Sequence, residues 1–332
     1  MKIFTRWLII LAFSYSTLHA EEADTIIYMD VNGTVTLYDG VLGKSLRTGV
    51  NQAAASQMVA QWHKNSESMS LENFVKFSLT TQREKYLDKP YLDILGVSSL
   101  ADLPQQNREL QILLFNKIPE ILELHKEELG RGVYEKYQGL LTDLQEKAEQ
   151  FPNGIAISFL NFVEHLVKSS KLSLVISTFG SEGEMVQETL VKQDSLKNFP
   201  VHYSGQFEKG HLKLKNGAVL TTPYEIQAEL SKVGIHVIRN NFEEWKGKAY
   251  HHTYGKPMYL IPGKRSMFFD DNILNEKGVS CVAPKDQEGN DLDLQSLINE
   301  GTLIKVNIVQ VIQDPHYFTK KYVQACIIRS TT

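Results

Sequence analysis

Cysteine is scarce in this 332-residue chain, which holds only Cys281 and Cys326. If they paired, two such late cysteines would staple only the C-terminal region. As free thiols they would behave as small hydrophobes, an equally good reading. Neither belongs to a CxxC pair or has a nearby histidine, so a cysteine metal site is excluded. Excess charge of one sign is lacking too, with a formal net charge of −4. That leaves no electrostatic basis for nucleic acid as a partner. Internal repeats and low-complexity tracts are absent. Beyond the first twenty residues no stretch could cross a bilayer, so no stable membrane insertion is expected of a mature chain.

What is present is ordinary globular material, 42% hydrophobic and 22% charged. It suffices for one large domain with an insertion, or for two domains. The first twenty residues stand apart. Lys2 and Arg6 precede "WLIILAF", and "STLHA" ends at Ala20. This layout predicts a signal peptide over 1–20, cleaved before Glu21, and hence export to a periplasm or the exterior. An uncleaved anchor would need a longer apolar run.

Ile26–Met29 is a short apolar run ending at Asp30, as expected of a buried parallel strand. Residues 50–151 change to helical spacing, read as four or five helices inserted as one lump, with Pro119 breaking one of them. Alternation then resumes. A helix follows Gly154, "KLSLVIST" is a strand, and a helix is expected from Glu182 to Leu196. "HYSGQFEKGHLKLKNG" reads as a hairpin excursion. Thr222, Pro223 and Glu225 form a helix start with a capping box. "IHVIRN" and "SMFFDD" are further strands, followed by a helix near "LDLQSLINEG" and a strand at "TLIKVNIVQVI". The pattern predicts an α/β fold: a Rossmann-like three-layer αβα core with a parallel sheet over 21–49 and 152–332, plus an inserted all-helical unit over 50–151.

Three of these strands end in polar residues: Asp30, Ser177 with Thr178, and Asp270 with Asp271. Ligands of parallel sheets bind at such carboxyl ends. The order "MDVNGT", "LSLVIST", "MFFDDN" resembles the haloacid dehalogenase (HAD) superfamily, mostly phosphatases and phosphotransferases, over Ile26 to about Asn275. The resemblance implies Asp30 as the nucleophile. It also implies Mg²⁺ held by Asp30, the backbone carbonyl of Asn32, Asp270 and Asp271, an oxygen set that magnesium prefers. Thr178 would bind phosphoryl oxygens, with Ser177 as the alternative because neighbours on a strand face opposite ways. The third-motif lysine would be Lys256, with Lys248 and Lys264 as rivals. The helical insert sits where the family places a C1-type cap, and the partner implied is a small phosphorylated substrate or ligand.

One letter departs from the pattern. Asn32 stands where family phosphatases carry the acid that protonates the leaving oxygen. An amide cannot exchange a proton at neutral pH, and losing such help costs on the order of 10²–10⁴ in rate. The expectation is therefore a slow or specialised phosphohydrolase or phosphotransferase, suited to leaving groups of low pKa. Two other readings stay open: an inactive protein that binds a phosphorylated ligand or partner, and an exported factor whose helical block binds proteins. "NGT" at Asn32 also matches a glycosylation sequon and "DVNG" the start of a calcium loop, but no glutamate closes the latter. His251, His252 and His316 have no zinc spacing.

Overall fold

The computed structural model describes residues 21–37, 43–64, 66–274 and 278–331; the segment expected to be a signal peptide lies outside them. Among the described residues, ten strands organise the core. In chain order they are β1 (Thr25–Met29), β2 (Leu172–Thr178), β3 (Gly205–Glu208), β4 (His211–Leu214) and β5 (Val219–Leu220). Then come β6 (Gly234–Arg239), β7 (Lys256–Tyr259), β8 (Arg265–Asp270), β9 (Val282–Lys285) and β10 (Leu303–Lys305). Eight of them form one sheet in the order β10-β8-β1-β2-β6-β3-β4-β5, and β7 pairs separately with β9.

The strands from β10 to β3 run parallel. A parallel sheet with a hairpin excursion is the expectation, and one edge corrects its parallel run. Lys209 and Gly210 both take positive φ, which makes the tight turn that a two-residue hairpin needs. It folds β4 back antiparallel on β3, β5 follows, and the excursion joins the sheet.

Every residue of β1 is buried. Ile27 and Met29 enter one apolar cluster with Phe159 and Phe318, while Ile26 and Tyr28 enter another with Ile226 and Met258. An uninterrupted apolar run is what a strand covered on both faces requires. Helices thus flank a largely parallel sheet. The helix Pro223–Leu230 starts as its sequence predicts: Thr222 Oγ1 accepts from Glu225 N at 3.2 Å, and Glu225 Oε2 accepts from Thr222 N at 3.0 Å.

Two other expectations are corrected. The helix expected to reach Leu196 ends at Leu190, and Asp194–Leu196 is a separate 3₁₀ turn. In the tail, the strand stops at Lys305 because Asn307 caps a new helix, Ile308–Gln313, its Oδ1 accepting from Val309 N and Gln310 N. A last helix, Tyr317–Thr331, covers the sheet.

Between β1 and β2 lies the helical block. Its longer helices are Leu46–Gln57, Lys89–Leu95, Asn107–Asn116, Ile118–Leu124 and Arg131–Glu149, with shorter turns between them. The helices are shorter and more numerous than expected, and Pro119 does mark a break, in the first turn of Ile118–Leu124. A two-residue antiparallel ribbon, Val59–Ala60 with Met69–Ser70, departs from the all-helical expectation. The block leaves and rejoins the core at one seam, where Thr36 bridges Ile155 and Ala156 N donates to Val35 O at 2.9 Å. Its Phe74, Leu114, Ile118 and Leu144 belong to the same apolar cluster as Ile27, Met29 and Phe269. Block and sheet therefore share one core.

Candidate functional site

From β1 the chain builds outward through β2 and β6, then returns to lay β8 and β10 on the other side of β1. That reversal opens a crevice beyond the carboxyl ends of β1 and β8, the place where parallel sheets bind ligands. Asp30 follows β1, and Asp270 ends β8. Asp30 N donates to Phe269 O at 3.0 Å, which sets the two carboxylates level.

Lys256, the first residue of β7, reaches into this crevice. Its Nζ lies 2.5 Å from Asp30 Oδ1 and 2.7 Å from Asp270 Oδ2. All three side chains are buried. Thr34 Oγ1 donates to Asp30 Oδ2 at 3.1 Å and accepts from Asp271 N at 3.1 Å, so one hydroxyl joins the first loop to the acidic pair. Asp270 Oδ1 accepts from Asn272 N at 2.7 Å, and Cys281 Sγ donates to Asp270 Oδ2 at 3.1 Å.

The electrostatics follow from burial. Desolvation pushes the Asp30 carboxyl up to about 7; Lys256 opposes the rise and Asp270 adds to it. Asp271 is raised well above the usual range by desolvation, then by Asp270 and Asp30. For Lys256, burial works against the charge, yet Asp270 and Asp30 outweigh it and hold the ammonium well above its ordinary range. Burial also pushes the Cys281 thiol up.

Three carboxylates, with oxygens within 4.8 Å of one another, thus face one ammonium. Asn32 adds a buried Oδ1 without a hydrogen-bond partner. An all-oxygen donor set of three clustered carboxyl groups fits a hard divalent cation.

At the strand end of β2 the two hydroxyls face opposite ways. Thr178, with Gly180, lines a cavity of about 310 Å³ that also holds Asp30, Asn32 and Lys256. Thr178 Oγ1 accepts from Gly180 N at 3.0 Å. Ser177 faces away, its Oγ accepting from Asn240 Nδ2 at 2.9 Å, while Asn240 N donates to Thr178 O at 2.7 Å. The cavity also takes Phe179, Phe242, Trp245 and Lys246 from the core and Arg108 from the helical block. A second hollow of about 410 Å³, bordered by Asn32, Gly33 and Asp271, separates the crevice from block residues Gln52, Glu72 and Lys76.

The rival lysines lie elsewhere: Lys264 Nζ pairs with Glu22 at 2.8 Å, and Lys248 Nζ stands over the Tyr254 ring at 5.0 Å. Both cysteines are free. His251 and His252 stack on each other, and His316 N donates to Asp314. The sequence pattern passes over the bonds of Thr34, Asn240 and Cys281 and the place of Arg108 in the cavity, which depend on contacts between distant segments. It also passes over a second cluster, His202, Glu229 and His236. There the imidazoles stack in parallel at 4.3 Å, and their Nε2 atoms bond the carbonyls of Val233 and Lys232. Lone pairs lying in parallel ring planes do not converge on one ion. Comparisons with family models, with curated proteins and with solved structures find no match to this chain.

Proposed function

We propose that this chain is a HAD-type phosphohydrolase or phosphotransferase that works through an aspartyl-phosphate on Asp30, with the helical block as its cap. The observation that carries the reading is Lys256 Nζ held between Asp30 and Asp270 at the switch point of a parallel sheet. Phosphoryl transfer to a carboxylate demands an in-line nucleophile and offset of like charges. Thr34 fixes one Asp30 oxygen, and Lys256 pairs with the other. The Thr178 hydroxyl accepts from Gly180 N, which leaves its own proton for a phosphoryl oxygen. Lys256 would neutralise charge on the transferred group as well as on Asp30.

Asp30, Asp270, Asp271 and the Asn32 carbonyl would hold Mg²⁺. When bound, Mg²⁺ would offset phosphoryl charge as a Lewis acid. Asn32 can donate a hydrogen bond but cannot move a proton. The leaving group must then depart as a stable anion, and hydrolysis of the aspartyl-phosphate is slowed for want of a base.

The test measures Mg²⁺-dependent phosphate release from acyl phosphates, anhydrides and monoesters by the mature chain, Asp30→Asn and Asn32→Asp. The reading expects release that Asp30→Asn abolishes, and a gain on ordinary monoesters in Asn32→Asp. Native release no greater than that of Asp30→Asn would sink the enzyme reading in favour of a ligand-binding protein.

A further inference from the structure

The cavity that holds Asp30 has a second, chemically different end. Phe179, Phe242 and Trp245 line it together with the nucleophile. Phe179 and Trp245 stack with centroids 5.1 Å apart, and Phe242 stands edge-on to Phe179 at 5.7 Å. Lys256 Nζ lies 5.1 Å from the Phe179 centroid, so the aromatic wall begins where the phosphoryl end stops. Such a wall favours a flat ring, which it can meet edge-to-face or by offset stacking. A volume of about 310 Å³ is near the lower limit for small-molecule pockets and suits a compact ligand.

Asn32 points the same way on separate grounds. An alkoxide leaving group, whose conjugate acid is about as weak an acid as water, depends on a proton that Asn32 cannot give. A phenolate, whose conjugate acid is near about 10, depends on it far less.

We infer that the site takes aryl phosphates, monoesters whose leaving group is a phenolic ring resting against Phe179, Phe242 and Trp245. This rests on the phosphoryl-transfer reading above. An Asp30 oxygen bonds to phosphorus as the phosphorus–aryl oxygen bond breaks, and the electron pair leaves with the phenolate. Water then attacks phosphorus, which restores Asp30 and frees inorganic phosphate. The proton that water sheds ends on the phenolate, so one ester and one water give one phenol and one phosphate.

The experiment pairs binding with turnover in the mature chain with Mg²⁺. Calorimetry compares phenylphosphonate with methylphosphonate, which cannot be hydrolysed. Release assays compare phenyl phosphate, ethyl phosphate and acetyl phosphate, with Asp30→Asn as control. The expected result is at least about tenfold tighter binding of phenylphosphonate. That preference should shrink to about twofold in Phe242→Ala. Trp245→Phe, which keeps a ring, should retain most of it and guards against misfolding of the first variant. Phenyl phosphate should be turned over faster than ethyl phosphate. Asp30-dependent release from acetyl phosphate without an aryl preference in binding would overturn this inference and leave the proposed function standing. An aryl preference in binding with no Asp30-dependent release would overturn the proposed function and the transfer step with it, and leave only recognition of an aryl phosphate by the aromatic wall. Loss of both would overturn both.

Discussion

Gly33 lies so close to Asp271 that a Cβ at position 33 would stand 2.6 Å from Asp271 Oδ2. Its φ of +83° also lies where side chains are strained. Gly33→Ala should therefore lose about 1–3 kcal/mol of stability in urea unfolding and displace the acidic pair. Phosphate release should fall by more than about tenfold, since small misplacements of reacting groups are costly. Unchanged stability and activity would show that the loop does not hold Asp271 in place.

Lys256→Met would leave three neighbouring carboxylates without their ammonium. Breaking a buried pair in this way costs about 3–5 kcal/mol. The deficit has a sign in pH. Asp30, with its carboxyl at about 7, is raised above its unfolded value, so protonation favours the fold as pH falls from 7 toward the ordinary carboxylate range. Denaturation at pH 8 and pH 5 should therefore show the larger loss at pH 8. An equal loss at both would mean that Lys256 contributes packing and not charge.

Arg108 is the residue that helix Asn107–Asn116 brings to the Asp30 cavity, and it is exposed. Arg108→Ala should leave stability within about 0.5 kcal/mol of the parent. KM for an anionic substrate should rise about fivefold with kcat nearly constant, the mark of lost uniform binding. An unchanged KM would detach the helical block from substrate recognition.

His236 is buried, and burial, followed by the stacked His202, lowers its pKa to about 3. The unfolded chain takes up this proton near about 6.5, whereas the fold refuses it until about 3. Stability from this group is complete above 6.5 and drains away as pH falls toward 3, by at most about 1.4 kcal/mol per pH unit. His236→Phe should flatten that part of the profile in denaturant titrations. A slope identical to the parent's would assign acid sensitivity to other groups.

If residues 1–20 are a signal peptide, N-terminal sequencing of the processed chain should begin at Glu21, after the "STLHA" exit. A chain that keeps Met1 would make the first segment an anchor.

The sequence carried the skeleton of the site because each motif ended a continuous apolar run. Ile26–Met29 and Met267–Phe269 read as buried strands, and their ends bring Asp30, Asp270 and Asp271 to one crevice. The choice between Ser177 and Thr178 turned on strand parity, which shifts with one residue of register. Lys256 could not be told from Lys248 and Lys264, because what distinguishes it is a partner at Asp30, in a distant strand. The tail misled because "NIVQVI" is apolar enough for a strand, and only the cap at Asn307 turns it into a helix. Tyr317–Thr331 has polar residues spread around it, so its periodicity gives little sign of a packing face.

The central position of β1 bears on how the chain folds. Thr25 pairs with Leu172 on one side and with Arg265 on the other. The first strand made is thus among the last to have both neighbours, and two long loops must close before either ladder repays their entropy. Until then Ile26–Met29 is an unpaired apolar edge, open to strands of other chains. The helical block, which separates β1 from β2 in sequence, sets how long that exposure lasts.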